Sequence, residues 1–123
     1  MVSLIFRAKM KPGKEDEAIQ KMTAMVEAVK ANEPGVLLYA FHRPVEDPSE
    51  LVFFEAYVDD DAFKAHGQTP HMGDMRSAFA DIFDPTTVKL ERMDRTAGFS
   101  RCRLTGVVEE SAGNKRASFL AYP

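Results

Sequence analysis

The sequence predicts a single α+β domain whose elements follow the order β-α-β-β-α-β, and three observations support this fold class. Segments near residues 2–9 and 86–92 alternate apolar and polar side chains, which is the period of a half-buried strand. Segments near 14–31 and 69–83 repeat apolar residues every three or four positions, as an amphipathic helix does. Clusters of proline, glycine, asparagine and aspartate separate these segments, so each one ends at a turn.

Composition limits the class of protein. A chain of 123 residues has room for one domain, and 45% hydrophobic with 28% charged residues is typical of a globular fold with its own core. The net charge of -3 supplies no basic surface for a phosphate backbone, so we expect no nucleic-acid partner. The first residues lack the apolar run of a secretory signal, and no stretch approaches the roughly 20 apolar residues of a membrane span. We therefore expect a cytoplasmic protein.

The first strand and the first helix are predicted on either side of a turn. Val2–Lys9 alternates as a strand with one better buried face. Lys11-Pro12-Gly13 breaks the chain, and an apolar helical stripe follows over residues 14–31, with acidic residues in its first turn. Proline and glycine at Pro34-Gly35 then end the helix.

The second and third strands are predicted at Val36–His42 and at residues 51–58, joined by a polar turn. The third strand is apolar on both faces: Phe53 and Tyr57 fall on one face, and Phe54 with its alternating apolar neighbours falls on the other. Helices of the same chain can cover only one face of a four-stranded sheet. A second copy of the chain is the expected cover for the other face, so we predict a homodimer.

The remaining elements are an interrupted helix and a fourth strand. Aspartates at 59–61 can cap a short helix that Gly67 interrupts, and Thr69-Pro70 restarts it. Residues 86–92 alternate as a strand with one polar face. The resulting order is the ferredoxin-like one, a four-stranded antiparallel sheet with helices on one face.

The chain divides into a domain at residues 1–94 and an extension at 95–123. Arginine and lysine become frequent in the extension, and the helical stripe disappears. Residues 102–109 and 117–122 are predicted as two strands of a β-hairpin around a turn at 111–114. The alternative is an arm that contacts the partner subunit.

Several ordered motifs resemble the antibiotic biosynthesis monooxygenase family. They are Lys11-Pro12-Gly13-Lys14-Glu15, Glu33-Pro34-Gly35, Phe54-Glu55-Ala56-Tyr57, Ala62-Phe63-Lys64-Ala65-His66 and Thr69-Pro70-His71. The resemblance covers residues 1 to about 93. It implies a dimeric α+β barrel in which two sheets pack face to face, with a pocket between each sheet and its own helices.

The same resemblance implies several activities. The family includes oxygenases that oxidise phenols, quinols or aromatic polyketides without metal or flavin, together with haem-degrading members, isomerases and proteins of no known activity. This chain has no tryptophan, in contrast to members whose haem or polyketide pocket includes one. We expect no metal, haem or flavin cofactor.

Histidines are the first candidates for catalysis. An oxygenase without a cofactor needs a base in a dry pocket, and the unperturbed pKa of histidine lies near neutrality. His66 and His71 flank the helix interruption and are predicted as this base; the alternative is that they only fix the break by hydrogen bonding. A glycine separates them and no third ligand is placed, so no metal site is predicted. His42 ends a strand and is not predicted to be catalytic.

Glu55 is the third predicted catalytic residue, because a carboxyl among apolar neighbours needs a partner or a raised pKa. The alternative is a structural salt bridge with Arg7 or Arg92. Aromatic residues and methionines are predicted to line the substrate pocket, although each would also serve as ordinary core. They are Phe6, Tyr39, Phe54, Tyr57, Phe63, Met72, Met75 and Phe79.

Three functions follow as hypotheses from these residues and the resemblance. The first is a cofactor-free monooxygenase that oxidises a quinol or a phenolic, polyketide-like substrate with O2. The second is an isomerase that uses a histidine for proton transfer. The third is a non-catalytic dimer that binds a small hydrophobic ligand.

Overall fold

A computed structural model of the protein describes residues 1–103 and 120–121. Four strands, three helices and a short 3-10 helix at Pro85–Thr87 build the domain. In chain order the strands and helices are β1 Val2–Lys9, α1 Glu15–Asn32, β2 Val36–His42, β3 Glu50–Tyr57, α2 Asp60–Gly67, α3 Pro70–Ile82 and β4 Lys89–Met93.

The four strands form one antiparallel sheet in the order β2-β3-β1-β4. The two central strands, β1 and β3, are those with the most buried residues, as central strands should be. In the register of the sheet, Phe6 lies opposite Phe53 on one side and Leu90 on the other. The predicted ferredoxin-like fold is confirmed, with the second helix divided into α2 and α3.

The helix ends follow the predicted local chemistry. The Asp59 side chain accepts a hydrogen bond from the Ala62 amide at 2.8 Å, which caps α2. The Thr69 side chain accepts from the Met72 amide at 3.3 Å and caps α3, while its hydroxyl donates to the His66 carbonyl at 2.9 Å. This one threonine therefore joins the end of α2 to the start of α3.

The beginning of the fourth strand differs from the prediction. Residues 85–87 form a 3-10 turn, and β4 starts only at Lys89. Asp84 explains the difference, because its side chain accepts from both the amide and the hydroxyl of Thr86, at 3.0 and 2.7 Å. Such local side-chain bonds compete with strand pairing, so the alternation of residues 86–88 does not produce a strand.

The sheet has an inner face, covered by the helices, and an outer face. Residues of β3 that belong to the inner face are those whose β1 partners pack against helices: the partners of Leu51 and Phe53 pack with α1 and α3, and those of Glu55 and Tyr57 pack with α2. Ala8, Leu51, Ile82 and Phe83 are completely or almost completely buried there. On the outer face, Leu38 and Phe54 remain 47% and 43% exposed.

The described part of the extension is small. Cys102–Arg103 pairs antiparallel with Leu120–Ala121. The other residues of the predicted hairpin, 104–119 and 122, lie outside the described residues. Among the helices of the described part, none has the length and apolar character required to cross a bilayer.

Candidate functional site

A cavity of about 640 Å³ lies between the inner face of the sheet and the three helices. This volume suits a small organic ligand. Its wall is mostly apolar and aromatic, with five polar side chains, and consists of Leu4, Phe6, Met22, Tyr39, Phe53, Glu55, Phe63, Lys64, His66, Gly67, Met72, Met75, Arg76, Phe79, Val88 and Leu90. Val88 and Leu90 remain 38% and 59% exposed, so the cavity meets solvent beside β4.

Glu55 is the buried carboxyl of the cavity wall. It lies in the middle of β3, between Leu4 on β1 and Tyr39 on β2, and only 8% of its surface is exposed. The Tyr57 hydroxyl donates to Glu55 Oε1 at 2.5 Å. Burial raises the pKa of the Glu55 carboxyl above its usual value, although the Tyr57 hydrogen bond and nearby His66 act in the opposite direction.

The predicted salt bridge of Glu55 with an arginine is not formed. Arg7 lies on the outer face and pairs with Glu50 at 3.7 Å, while Arg92 pairs with Asp60 and stacks over the Phe63 ring. Both arginines lie on strands of the same sheet as Glu55, but the register directs them to other carboxylates. Glu55 is instead held by a neutral phenol.

Two tyrosines surround Glu55 and His66. The Tyr39 ring lies on the cavity wall, 5.3 Å from the His66 ring, and the Tyr57 ring lies 5.5 Å from it. Burial, and after it the charge of Glu55, raises the pKa of both phenols well above the usual value. Both hydroxyls are protonated at neutral pH, and that of Tyr57 donates its hydrogen bond to Glu55.

His66 and His71 are brought together by Glu33, which the sequence indicated only as part of the Glu33-Pro34-Gly35 motif and not as a site residue. His66 Nδ1 lies 2.9 Å from Glu33 Oε1, and His71 Nε2 lies 2.5 Å from Glu33 Oε2. The Glu33 side chain is 8% exposed and that of His66 is 6% exposed. His66 belongs to the cavity wall, whereas His71 does not line the cavity.

The structure sorts the predicted pocket residues. Phe6, Tyr39, Phe63, Met72, Met75 and Phe79 line the cavity, and Tyr57 lies fully buried behind Glu55. Phe54 differs from the prediction: it lies on the outer face, opposite Ile5 and Ala40, because successive side chains of a strand point to opposite faces. His42 also lies on that face, with its ring 4.4 Å from the Phe54 ring.

Several wall residues were missed by the sequence analysis. Leu4 and Phe53 could have been found, because they share the strand alternation of Phe6 and Glu55. Met22 lies on the apolar stripe of α1 and could have been found in the same way. Lys64 and Arg76, both exposed at the wall, have no local signal that separates them from other surface cations.

No group of three or more histidine, cysteine, aspartate or glutamate side chains suited to hold a metal ion occurs within the described residues. His66 and His71 do approach a common group, but that group is the Glu33 carboxylate. Their arrangement is thus a hydrogen-bonded cluster.

The part of the chain that forms this site is similar to known proteins. A family model described as antibiotic biosynthesis monooxygenase matches residues 1–78. An uncharacterized protein of Synechocystis sp., sll1783, is 27% identical over 89 residues, which are 72% of this chain and 60% of that protein. The chain thus spans less than two thirds of the length of this curated relative.

Solved structures share the fold. PA3566 from Pseudomonas aeruginosa superposes with a TM-score of 0.71 at 24% identity, covering 78% of this chain and 94% of that one. Rv0793 from Mycobacterium tuberculosis superposes with a TM-score of 0.72 at 22% identity, covering 79% of this chain and 96% of that one. A protein from Caulobacter crescentus superposes with a TM-score of 0.73 at 26% identity, covering 78% of this chain and 90% of that one.

Proposed function

The chain belongs to the antibiotic biosynthesis monooxygenase family, and we propose that it is a cofactor-free monooxygenase that oxidises a quinol or a related phenol with O2. One observation carries this proposal: the aromatic cavity contains a histidine whose Nδ1 is bound by a buried carboxylate. Such a histidine can remove a phenolic proton where water is scarce.

The cavity suits a flat aromatic substrate. Phe6, Phe53 and Phe79 supply aromatic faces and edges, and the methionines Met72 and Met75 adapt to an irregular ligand surface. Tyr39 and Glu55 supply polar groups beside His66 that can orient the hydroxyls of the substrate. A few convergent polar groups in an apolar wall are typical of a small-molecule site.

The reaction begins when His66 takes a proton from a substrate hydroxyl. The resulting anion transfers one electron to O2, and superoxide combines with the aryloxyl radical to form a carbon–oxygen bond. The peroxide then takes up the proton held by His66. Loss of the hydrogen on the same carbon as a proton breaks the O–O bond, releases water and leaves a carbonyl at that carbon. Overall, a hydroquinone and O2 give a hydroxylated quinone and water, so one oxygen atom enters the product.

Glu55 has a different role in this proposal. Because burial raises its pKa, Glu55 takes up a proton more readily than an exposed carboxyl, and in its protonated form it can donate a hydrogen bond to a substrate oxygen or a proton to the peroxide. His71 does not line the cavity, so its proposed role changes from catalytic base to support of Glu33.

The test is oxygen consumption with a panel of hydroquinones and polycyclic phenols, followed by mass spectrometry after reaction under ¹⁸O₂. We expect one labelled oxygen in the product, and a loss of turnover of roughly a hundredfold or more in His66→Ala. His42→Ala is the matched control, because His42 lies on the face of the sheet opposite the cavity, and it should retain turnover at a protein concentration that keeps the variant dimeric.

Other outcomes would contradict the monooxygenase. Proton exchange into a substrate without oxygen consumption would indicate an isomerase. Tight binding of phenols without any conversion would indicate a ligand-binding protein. Unchanged turnover of an oxidised substrate in His66→Ala would remove this histidine from the mechanism.

We also propose that the protein acts as a homodimer whose subunits pack through the outer face of the sheet. Ile5, Leu38, Ala40 and Phe54 form an apolar surface there, since they lie on the same face of three neighbouring strands. Exposed apolar patches of this kind mark interaction sites. A second copy offers the same surface, so a two-fold arrangement can bury both.

A further inference from the structure

The best-defined polar cluster of the described residues is the Glu33 carboxylate between two imidazoles. Each carboxylate oxygen binds a different histidine, Oε1 to His66 Nδ1 and Oε2 to His71 Nε2. A buried carboxylate costs free energy unless both oxygens are hydrogen-bonded, and the two rings satisfy that requirement. The cluster therefore has one defined geometry.

We infer that Glu33 is a positioning residue that keeps the His66 proton on Nδ1, so that Nε2 is the basic nitrogen offered to the substrate. The inference rests on the proposed function in that His66 is the base. A carboxylate is acceptor-only, so the ring nitrogen that faces it carries the proton. The other ring nitrogen then keeps its lone pair, and the carboxylate stabilises the imidazolium formed when Nε2 takes a proton.

The backbone holds Glu33 in place from both sides. Its amide donates to the Val29 carbonyl at 2.9 Å, and its carbonyl accepts from the Val36 amide at 3.0 Å. Gly35 allows the turn to approach α2 closely, because a Cβ at this position would lie only 2.7 Å from the Cβ of Ala62. The turn after α1 is thus fixed against the helix that carries His66.

His71 completes the arrangement from α3. It follows Pro70 in the first turn of that helix, and the Thr69 cap ties this turn to the His66 carbonyl. By binding Oε2, His71 prevents the carboxylate from rotating away from His66. Its effect on the reaction is therefore indirect, through Glu33.

The experiment compares wild type with Glu33→Met, which keeps the side-chain length but removes both acceptors, and with Glu33→Gln, which keeps one acceptor oxygen. Nitrogen-15 NMR of the imidazoles reports which ring nitrogen carries the proton. We expect wild-type His66 to be protonated on Nδ1, and Glu33→Met to lose this preference. Glu27→Gln, on the exposed side of α1, is the control that removes the same charge without affecting His66.

Kinetics give the second readout. We expect kcat to fall by roughly ten- to a hundredfold in Glu33→Met, as for other carboxylates that orient a histidine, with a smaller loss in Glu33→Gln and KM little changed. Wild-type His66 protonated on Nε2, or kcat within about twofold of wild type in both variants, would overturn the inference. The NMR result does not depend on turnover. A confirmed Nδ1 proton in a protein that oxidises nothing would therefore contradict the proposed function and leave the tautomer assignment intact.

Discussion

The inner and outer faces of β3 differ in how their apolar residues are covered. On the inner face, Leu51, Phe53 and Tyr57 are buried by helices of the same chain, and the one carboxyl, Glu55, faces a cavity. On the outer face, Val52 and Ala56 are buried, but Phe54 remains 43% exposed. The two faces of this strand therefore differ in role: its inner face holds the core and the candidate site, and its outer face carries Phe54 of the proposed dimer interface.

The largest effect is expected from a cavity made in the inner face. Leu51 is 1% exposed in the main core cluster, so Leu51→Ala should lower the free energy of unfolding by about 2–5 kcal/mol. Chemical denaturation at a fixed protein concentration measures this change. Leu37→Ala is the matched control, because Leu37 is 57% exposed and its truncation should cost far less. If both variants lost the same free energy of unfolding, the inner face would not be the better packed region that this prediction assumes.

An arginine on the outer face should act on association instead of folding. Phe54→Arg would place an unpaired charge in the proposed interface, and we expect the dimer dissociation constant to rise by roughly a hundredfold, about 2–3 kcal/mol. Sedimentation equilibrium of wild type and variant measures it. Val45→Arg is the control, because it adds the same charge in the exposed turn between β2 and β3. It should leave the dissociation constant unchanged. A wild-type protein that is monomeric at micromolar concentration would contradict the proposed dimer.

The smallest effect is a pH slope from the carboxyl of the inner face. Burial raises the pKa of Glu55 in the folded protein, so its contribution to stability is full below the unfolded value of about 4.3 and is lost as pH rises through the folded pKa. Glu55→Gln keeps an acceptor for Tyr57 but cannot ionise. We therefore expect its stability relative to wild type to increase as pH rises above about 4.

Denaturation curves of wild type and Glu55→Gln across this pH range provide the measurement. Glu27→Gln, which removes an exposed carboxyl from α1, should follow the wild-type pH dependence. A constant difference between Glu55→Gln and wild type at all pH values would show that Glu55 has the same pKa in the folded and unfolded states.

Local sequence patterns predicted most of the fold. Val2–Lys9 and Val36–His42 have the predicted bounds, and the caps at Asp59 and Thr69 begin the helices where the residue types indicated. These features depend on neighbours within a few residues, which a sequence displays directly. The fourth strand was predicted too early for a related reason: the Asp84 side chain forms a local turn that competes with alternation.

Alternation along the third strand also separates its two faces. It places Phe53 and Tyr57 on one face and Phe54 on the other, and the sheet register confirms this division. The prediction that Phe54 lines the substrate cavity did not follow the same alternation, and this is why the structure corrects it. Period-two patterns thus determine which residues share a face, but not which face the helices cover.

Only the tertiary structure identified the site as a unit. Glu33 is 33 residues from His66 and 38 residues from His71, and its position before Pro34-Gly35 indicates only the end of a helix. The ion pairs of Arg7 and Arg92 with Glu50 and Asp60 likewise depend on strand register and helix placement. The sequence alone determined the elements, their order and the apolar faces, because hydrophobic period and capping are local. Long-range packing decided which polar side chains meet, because hydrogen bonds between distant residues form only where the folded backbone brings them within about 3 Å.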